Sequence, residues 1–105
     1  MPRGFADLGR FSEPALLILI SLAGGPKHGY AMTDDIEQMT GERLGPGTLY
    51  GALSRLEERG LIEALPQEQR RQPFRITAVG QETLRAQIAS LEAMTLQATQ
   101  RLAAT

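Results

Sequence analysis

Cysteine and tryptophan are absent from this chain of 105 residues, and histidine occurs once. Without cysteine there is no disulfide, no thiolate metal site and no cysteine nucleophile, so a reducing, cytoplasmic setting is expected. A Ser-His-Asp order, a GxGxxG loop and a cluster of metal ligands are missing as well. These absences predict a protein that is not an enzyme and that uses no cofactor or metal.

The length predicts one small domain with a modest core, since 42% of the residues are hydrophobic. A domain of this size often gains stability by pairing with a copy of itself. The net charge of -1 does not by itself favour nucleic acid. The charges are unevenly placed, however, because acidic residues gather between 34 and 42 and Arg70, Arg71 and Arg75 occupy a segment with no acidic residue.

The apolar run "PALLILISLAGG" has the length of a signal-peptide core. Asp7 and Glu13 lie where a basic leader would be, and the run is shorter than the ~20 residues of a membrane span. Its nearly continuous apolarity over 15–23 instead predicts a helix that is enclosed on several sides. Ser12 is the expected cap of this helix, and residues 1–11 are expected to form an N-terminal arm.

Two further helices are predicted before residue 60. The first runs from about Gly29 to Thr40, with His28 anchoring its start and Tyr30 more easily placed in the core than at a phosphate. The second begins at Pro46, whose fixed φ suits a first helical turn, and ends at Gly60. Its inward stripe is spaced by four and three residues and consists of Leu49, Leu53 and Leu56.

Two short alternating runs, 61–65 and 73–76, flank a polar connection and predict a β-hairpin. Pro73 predicts that the second run is an edge strand. Thr77 then caps a helix that extends to about Leu102. Apolar residues follow four-three spacing along it, so we expect its first half to pack on this chain and its second half on a second copy.

Three helices, a hairpin and a final long helix predict a mainly α fold with a small β-hairpin, a winged helix-turn-helix. In this fold the third helix enters the DNA major groove and the hairpin, or wing, reaches the backbone. Gly45, Gly47 and Gly51 allow the mouth of that helix to approach a phosphate closely, and its free N–H groups favour an anion.

The segments "HGY" at 28–30, "GPGTLYGALSRLEERGLIE" at 45–63 and "FRITAVGQETL" at 74–84 resemble the PadR family of transcriptional regulators. The resemblance covers roughly residues 14–90, and the short tail resembles the small-sized branch of the family. It implies a cytoplasmic DNA-binding regulator, usually a repressor, that acts as a homodimer on a two-fold operator. Residues 12–76 would form the DNA-binding domain and residues 77–105 the dimerisation helix.

The candidate DNA-binding residues are Lys27, Tyr30, Gly47, Thr48, Tyr50, Ser54, Arg55, Arg70, Arg71 and Arg75. The candidate dimer-interface residues are Leu84, Ile88, Leu91, Thr95, Ala98 and Leu102. Two alternatives stay open. The arginines could form an ordinary solvated loop, and the chain could be a protein-interaction module that retains the fold without binding DNA. A small aromatic effector held between dimer helices is compatible with the resemblance, although the chain has no Trp for stacking.

Overall fold

The computed structural model describes residues 13–105, so the expected arm at 1–11 and the expected cap at Ser12 lie outside the described residues. The elements in chain order are α1 (Pro14–Ala23), β1 (Lys27–His28), α2 (Gly29–Thr40), α3 (Pro46–Glu58), β2 (Ile62–Ala64), β3 (Pro73–Ile76) and α4 (Ala78–Ala103). Glu13 is the N-cap residue of α1, and Pro14 occupies its first turn. The predicted winged helix-turn-helix fold is confirmed, with one additional strand.

Helix α1 lies at the centre of the core. Its side chains are buried on more than one side, as its apolar sequence predicts. The one buried polar side chain on it, Ser21, donates a hydrogen bond of 2.7 Å to Asp35 of α2, which compensates its burial. The rest of the core comes from every other element except β1, and its buried members include Met32, Ile36, Leu49, Leu53, Leu56, Ile62, Phe74, Ile76 and Leu84.

The sheet corrects one prediction. Its strand order is β1-β3-β2 with antiparallel pairing throughout, so β3 is the central strand and not an edge. Pro73 is compatible with that place because it is the first residue of β3, opposite His28, where its missing N–H removes only a terminal hydrogen bond. Its carbonyl still accepts from the N–H of Leu65 at 2.9 Å. The prediction was wrong because β1 is too short to show a strand pattern.

Helix α4 begins at the base of the wing. The Thr77 side chain accepts from the N–H of Gly80 and donates to the carbonyl of Gly60, which joins the helix cap to the end of α3. Gly80 is required there, since a Cβ at this position would collide with the carbonyl oxygen of Leu61. Only Gly80 and Leu84 of α4 are buried, so the helix leaves the core after its second turn.

None of the helices within residues 13–105 combines the length and the apolarity that crossing a membrane would require. The same residues hold no group of histidine and carboxylate side chains arranged to bind a metal ion.

Candidate nucleic-acid interface

Helix α3 has two distinct faces. Leu49, Ala52, Leu53 and Leu56 are buried against the core, whereas Gly47, Thr48, Tyr50, Ser54 and Arg55 are exposed. The exposed residues recur at helical spacing, and Gly51 between them adds no side chain, so they form one continuous outer face. We call this surface, formed by Gly47, Thr48, Tyr50, Gly51, Ser54 and Arg55, the α3 outer face.

The first turn of α3 differs from those of α2 and α4. His28 and Thr77 cap α2 and α4 with side-chain hydrogen bonds, but Gly45, the N-cap residue of α3, provides none. Since a helix leaves its first N–H groups without intrahelical partners, those of the α3 first turn remain available to an external acceptor. No Cβ lies at either Gly45 or Gly47 to keep such an acceptor away, and space around both is open.

Tyr50 connects the α3 outer face to the start of α2. A Cβ built on the buried Gly29 would lie 2.8 Å from the Tyr50 hydroxyl oxygen and 3.2 Å from a Leu49 side-chain atom, so any side chain at this position would displace the Tyr50 hydroxyl group. The Tyr50 side chain is nevertheless 56% exposed. Its hydroxyl group therefore lies beside the first residue of α2 while the ring remains accessible.

The wing ends in a tight turn. Glu68 and Arg71 exchange two backbone hydrogen bonds of 2.9 and 2.7 Å. Gln69 and Arg70 between them both have positive φ, 46° and 70°, which is the backbone of a two-residue type I′ hairpin turn. The turn places the side chains of Arg70 and Arg71 in solvent. The sequence predicted a longer loop here because neither central residue is a glycine or an asparagine.

Ion pairs separate the basic residues into two groups. Within residues 13–105, the ion pairs involve only Lys27, Arg43 and Arg75 on the basic side. Arg75 donates to Glu63 across the sheet at 2.6 Å. Arg55, Arg70 and Arg71 are thus exposed cations that have no carboxylate within 4.0 Å in the described part of the chain.

Lys27, a candidate phosphate contact, has polar partners within the fold. Its ammonium group donates to the carbonyl of Ser21 and lies 3.9 Å from the carboxylate of Asp35. These contacts tie β1 to α1 and α2. The role of Lys27 as a phosphate contact stays a prediction.

His28 caps α2, as expected from the sequence: its Nδ1 accepts from the N–H of Ala31 at 3.3 Å. Its other ring nitrogen, Nε2, lies 3.2 Å from a guanidinium nitrogen of Arg71. The start of α2 therefore contacts both the wing, through His28, and α3, through Gly29. The first residues of α2 thus adjoin both the wing turn and Tyr50 of the α3 outer face.

Tyr30 is a second correction. Core packing was the preferred interpretation, but the side chain is 67% exposed. The guanidinium group of Arg43 lies 5.5 Å from the Tyr30 ring centroid in a cation–π contact. Arg43 was not among the candidate residues, and only its position three residues before Pro46 could have drawn attention to it.

Arg43 is in turn bound by two carboxylates of α2, with distances of 2.8 Å to Asp34 and 2.7 Å to Glu37. The hydrogen bond to Asp34, and then that to Glu37, raises the pKa of Arg43 further above its usual value. An arginine is charged at any physiological pH, so this shift has no consequence for pH dependence. The contacts hold the connection between α2 and α3 beside the exposed Tyr30.

Beyond residue 84, every residue of α4 is exposed. Leu84 belongs to the core of its own chain, so the exposed apolar stripe of α4 consists of Ile88, Leu91, Thr95, Ala98 and Leu102. Met94 and Leu96 are also exposed, and the sequence analysis did not include them. A shallow groove of about 430 Å³ runs past Ile88, Leu91 and Leu96. A second groove of about 510 Å³ runs past Met94 and Ala98.

A sheet-supported wing, a helix with an accessible polar face and a projecting final helix are the features of a winged-helix domain. Comparison with known proteins identifies the family. Residues 17–86 match the transcriptional regulator PadR-like family, and the chain belongs to it. PadR-like proteins are transcription regulators and not enzymes.

Three relatives illustrate the match. Over 82 residues the chain is 46% identical to the uncharacterized 37.1 kDa protein in transposon TN4556 of Streptomyces fradiae, covering 78% of this chain but only 24% of that protein. A transcriptional regulator from Clostridium thermocellum is similar at 28% identity and a TM-score of 0.73, covering 82% of this chain and 89% of its own. A PadR family regulator from Clostridium difficile shares the fold, with 23% identity, a TM-score of 0.76 and coverage of 87% and 99%.

Proposed function

We propose that the chain is a homodimeric repressor that binds a two-fold DNA operator. The observation that carries the proposal is the α3 outer face, where polar side chains and an uncapped first turn are accessible. The same face carries Arg55, whose charge is not neutralised by any carboxylate of residues 13–105. Thr48, Tyr50 and Ser54 offer hydroxyl groups of the kind that bond phosphates and base edges. Arg70 and Arg71 on the wing turn would add backbone contacts.

The two proposed roles, DNA binding and pairing, belong to different segments of the chain. The segment 12–76 would bind DNA, and the segment 77–105 would pair two copies through the exposed apolar stripe of α4. A helix that exposes apolar side chains over several turns is an aggregation hazard in a monomer and a core in a dimer. The grooves beside Leu91 and Ala98 offer space for side chains of the partner helix.

Release from DNA by a small aromatic compound is the finer part of the proposal. The grooves along α4 are lined mainly by aliphatic and polar side chains, with no aromatic ring among them. A flat compound would therefore be held between aliphatic surfaces of the two α4 helices.

A second candidate function is a protein-interaction module that keeps the fold without binding DNA. It is favoured by the net charge of -1 and by the acidic residues of α2, two of which neutralise Arg43. The two candidates predict opposite results in a binding titration against a labelled duplex of random sequence.

A DNA-binding protein should bind the random duplex with an affinity that falls linearly in a log–log plot against salt concentration. Fluorescence anisotropy at several salt concentrations measures this slope. No binding even at low salt would rule out the repressor and leave the interaction module.

A further inference from the structure

A cleft of about 470 Å³ lies between the wing turn and the start of α2. It is lined by His28, Glu68, Gln69, Arg71 and Pro73. As the cap of α2, His28 uses one of its two ring nitrogens. The other nitrogen faces the wing.

The cap fixes the tautomer of His28. Nδ1 accepts a hydrogen bond from the N–H of Ala31, so it must present a lone pair. A neutral imidazole has one ring nitrogen with a lone pair and one that carries a hydrogen. Nε2 therefore carries the hydrogen and acts as a donor.

Arg71 supplies a second donor at the same point. Its guanidinium nitrogen lies 3.2 Å from Nε2 of His28, and a guanidinium group has donors only. With Nδ1 accepting from Ala31, Nε2 and the guanidinium group both present hydrogens, and the contact places these two donors side by side. Glu68 lines the same cleft, but Arg71 has no carboxylate within 4.0 Å among the described residues. An anionic oxygen that accepts from both groups would satisfy them together.

We propose that His28 and Arg71 jointly bind one phosphate oxygen of the DNA backbone. This inference rests on the proposed function and adds to it a residue, His28, and a specific acceptor. Binding would draw the wing turn and the start of α2 onto the same phosphate group. The wing position is then set by the DNA backbone through a residue that also caps α2.

The single histidine allows a direct test on the wild-type protein, because all imidazole signals belong to His28. Long-range ¹H–¹⁵N spectra should show the Nε2–H tautomer in the free protein. Addition of a short duplex of random sequence should shift the Nε2 and Hε2 signals in proportion to the bound fraction measured by anisotropy. An Nδ1–H tautomer, or Nε2 signals that stay unchanged while anisotropy reports binding, would overturn the inference and leave the proposed function standing. Absence of binding by anisotropy would overturn both.

His28→Asn separates the cap from the donor. Asparagine is a favoured N-cap residue, so the thermal unfolding midpoint should stay close to that of the wild type. The variant lacks the Nε2 donor and should bind the random duplex about tenfold more weakly, the usual effect of losing a hydrogen bond to a charged acceptor. The salt slope should not change, since a neutral group replaces a neutral group and no counterion is involved. Wild-type affinity in a folded His28→Asn protein would contradict the inference.

Arg71→Gln and the double variant test whether the acceptor is shared. Arg71→Gln should weaken binding and also reduce the salt slope, because a cation is removed. The double variant should lose less than the product of the two single effects, since both groups bind the same oxygen. Independent, multiplicative losses would mean that the two groups bind separate acceptors, which contradicts the proposal. Glu68→Gln should tighten binding by removing a negative charge from the cleft, and weaker binding would also contradict it.

Discussion

Arg55 stands on the α3 outer face with no carboxylate partner among residues 13–105, and its position separates it from the buried leucines of the same helix. If it reads a guanine, Arg55→Ala should cost about 1–3 kcal/mol on a specific operator and much less on random DNA. Anisotropy titrations with both duplexes measure the difference. Arg85→Ala, which removes an exposed arginine from α4, is the matched control and should leave both affinities unchanged. Equal losses on the two duplexes for Arg55→Ala would make Arg55 a backbone contact.

The wing arginines differ in their partners. Arg75 is bound to Glu63, whereas Arg70 and Arg71 form no ion pair with any described residue. The double change Arg70→Ala with Arg71→Ala should weaken binding to all sequences alike and reduce the salt slope by ~0.9 for each phosphate that is no longer neutralised, in each of two protomers. Arg75→Ala is the control and should change the slope less, because its charge is already compensated. An unchanged slope in the double variant would remove the wing from the interface.

Residue-scale prediction from sequence worked where local chemistry decides the outcome. His28 and Thr77 were expected at helix starts, and both cap them, because side-chain capping depends on a few neighbouring backbone groups. The surroundings of Lys27 and Tyr30 were not predicted, for a different reason. Their surroundings come from distant segments, Ser21 and Asp35 for the first and Arg43 for the second, which no local pattern reveals.

At the scale of elements, substitution of two glycines by alanine should change the stability of the fold in opposite directions. Gly80→Ala should destabilise the fold by roughly 1–3 kcal/mol or more, since its Cβ would collide with the Leu61 backbone carbonyl at the wing base. Gly47→Ala meets open space inside α3 and should stabilise the fold by up to about 1 kcal/mol. Urea unfolding measures both changes. A Gly80→Ala protein as stable as the wild type would show that the contact between α4 and the wing base is looser than described.

Gly47→Ala also bears on binding. A methyl group at the uncapped first turn of α3 would keep a phosphate oxygen from the backbone N–H groups, so DNA affinity should fall although the fold is more stable. Opposite changes in stability and affinity would separate the role of this glycine in binding from any role in folding. Unchanged affinity would mean that the DNA backbone does not approach this turn.

Helix α4 gives the element-scale test of pairing. Leu91→Glu places a charge in the middle of the exposed apolar stripe, which would strand it in an apolar seam between two copies at a cost of several kcal/mol. Light scattering should then report monomers, and DNA binding should collapse. Ala89→Glu is the control: it lies two residues away, about 200° around the helix, and should leave the dimer intact. Monomeric wild-type protein at micromolar concentration would contradict the pairing.

The helices were predictable as elements, and the sheet was only partly so. Repeating apolar residues and capping signals determine α2, α3 and α4 locally, and their observed ends lie within about two residues of the predicted ones. Strand β1 has two residues, too few for any alternation to show. Its pairing with β3 depends on the folded position of α2. Because of this pairing, β3, which begins at Pro73, is the central strand and not the expected edge strand.

A dimer would join two copies of the winged-helix domain through α4. The apolar stripe in the α4 sequence is the clearest support for this pairing. In the single chain its apolar stripe is uncovered from Ile88 to Leu102. Two copies related by a two-fold axis would present two α3 outer faces to DNA, and such dimers read half-sites one helical turn or a multiple of it apart.

Hydroxyl-radical footprinting on an operator enriched from a random duplex pool tests this arrangement most directly. The account predicts two protected patches related by a two-fold axis, with centres about 34–36 Å apart or at a multiple of that spacing. Leu91→Glu should abolish both patches together. A single protected patch, or two patches that persist in the Leu91→Glu protein, would contradict the dimeric DNA-binding regulator proposed for this chain.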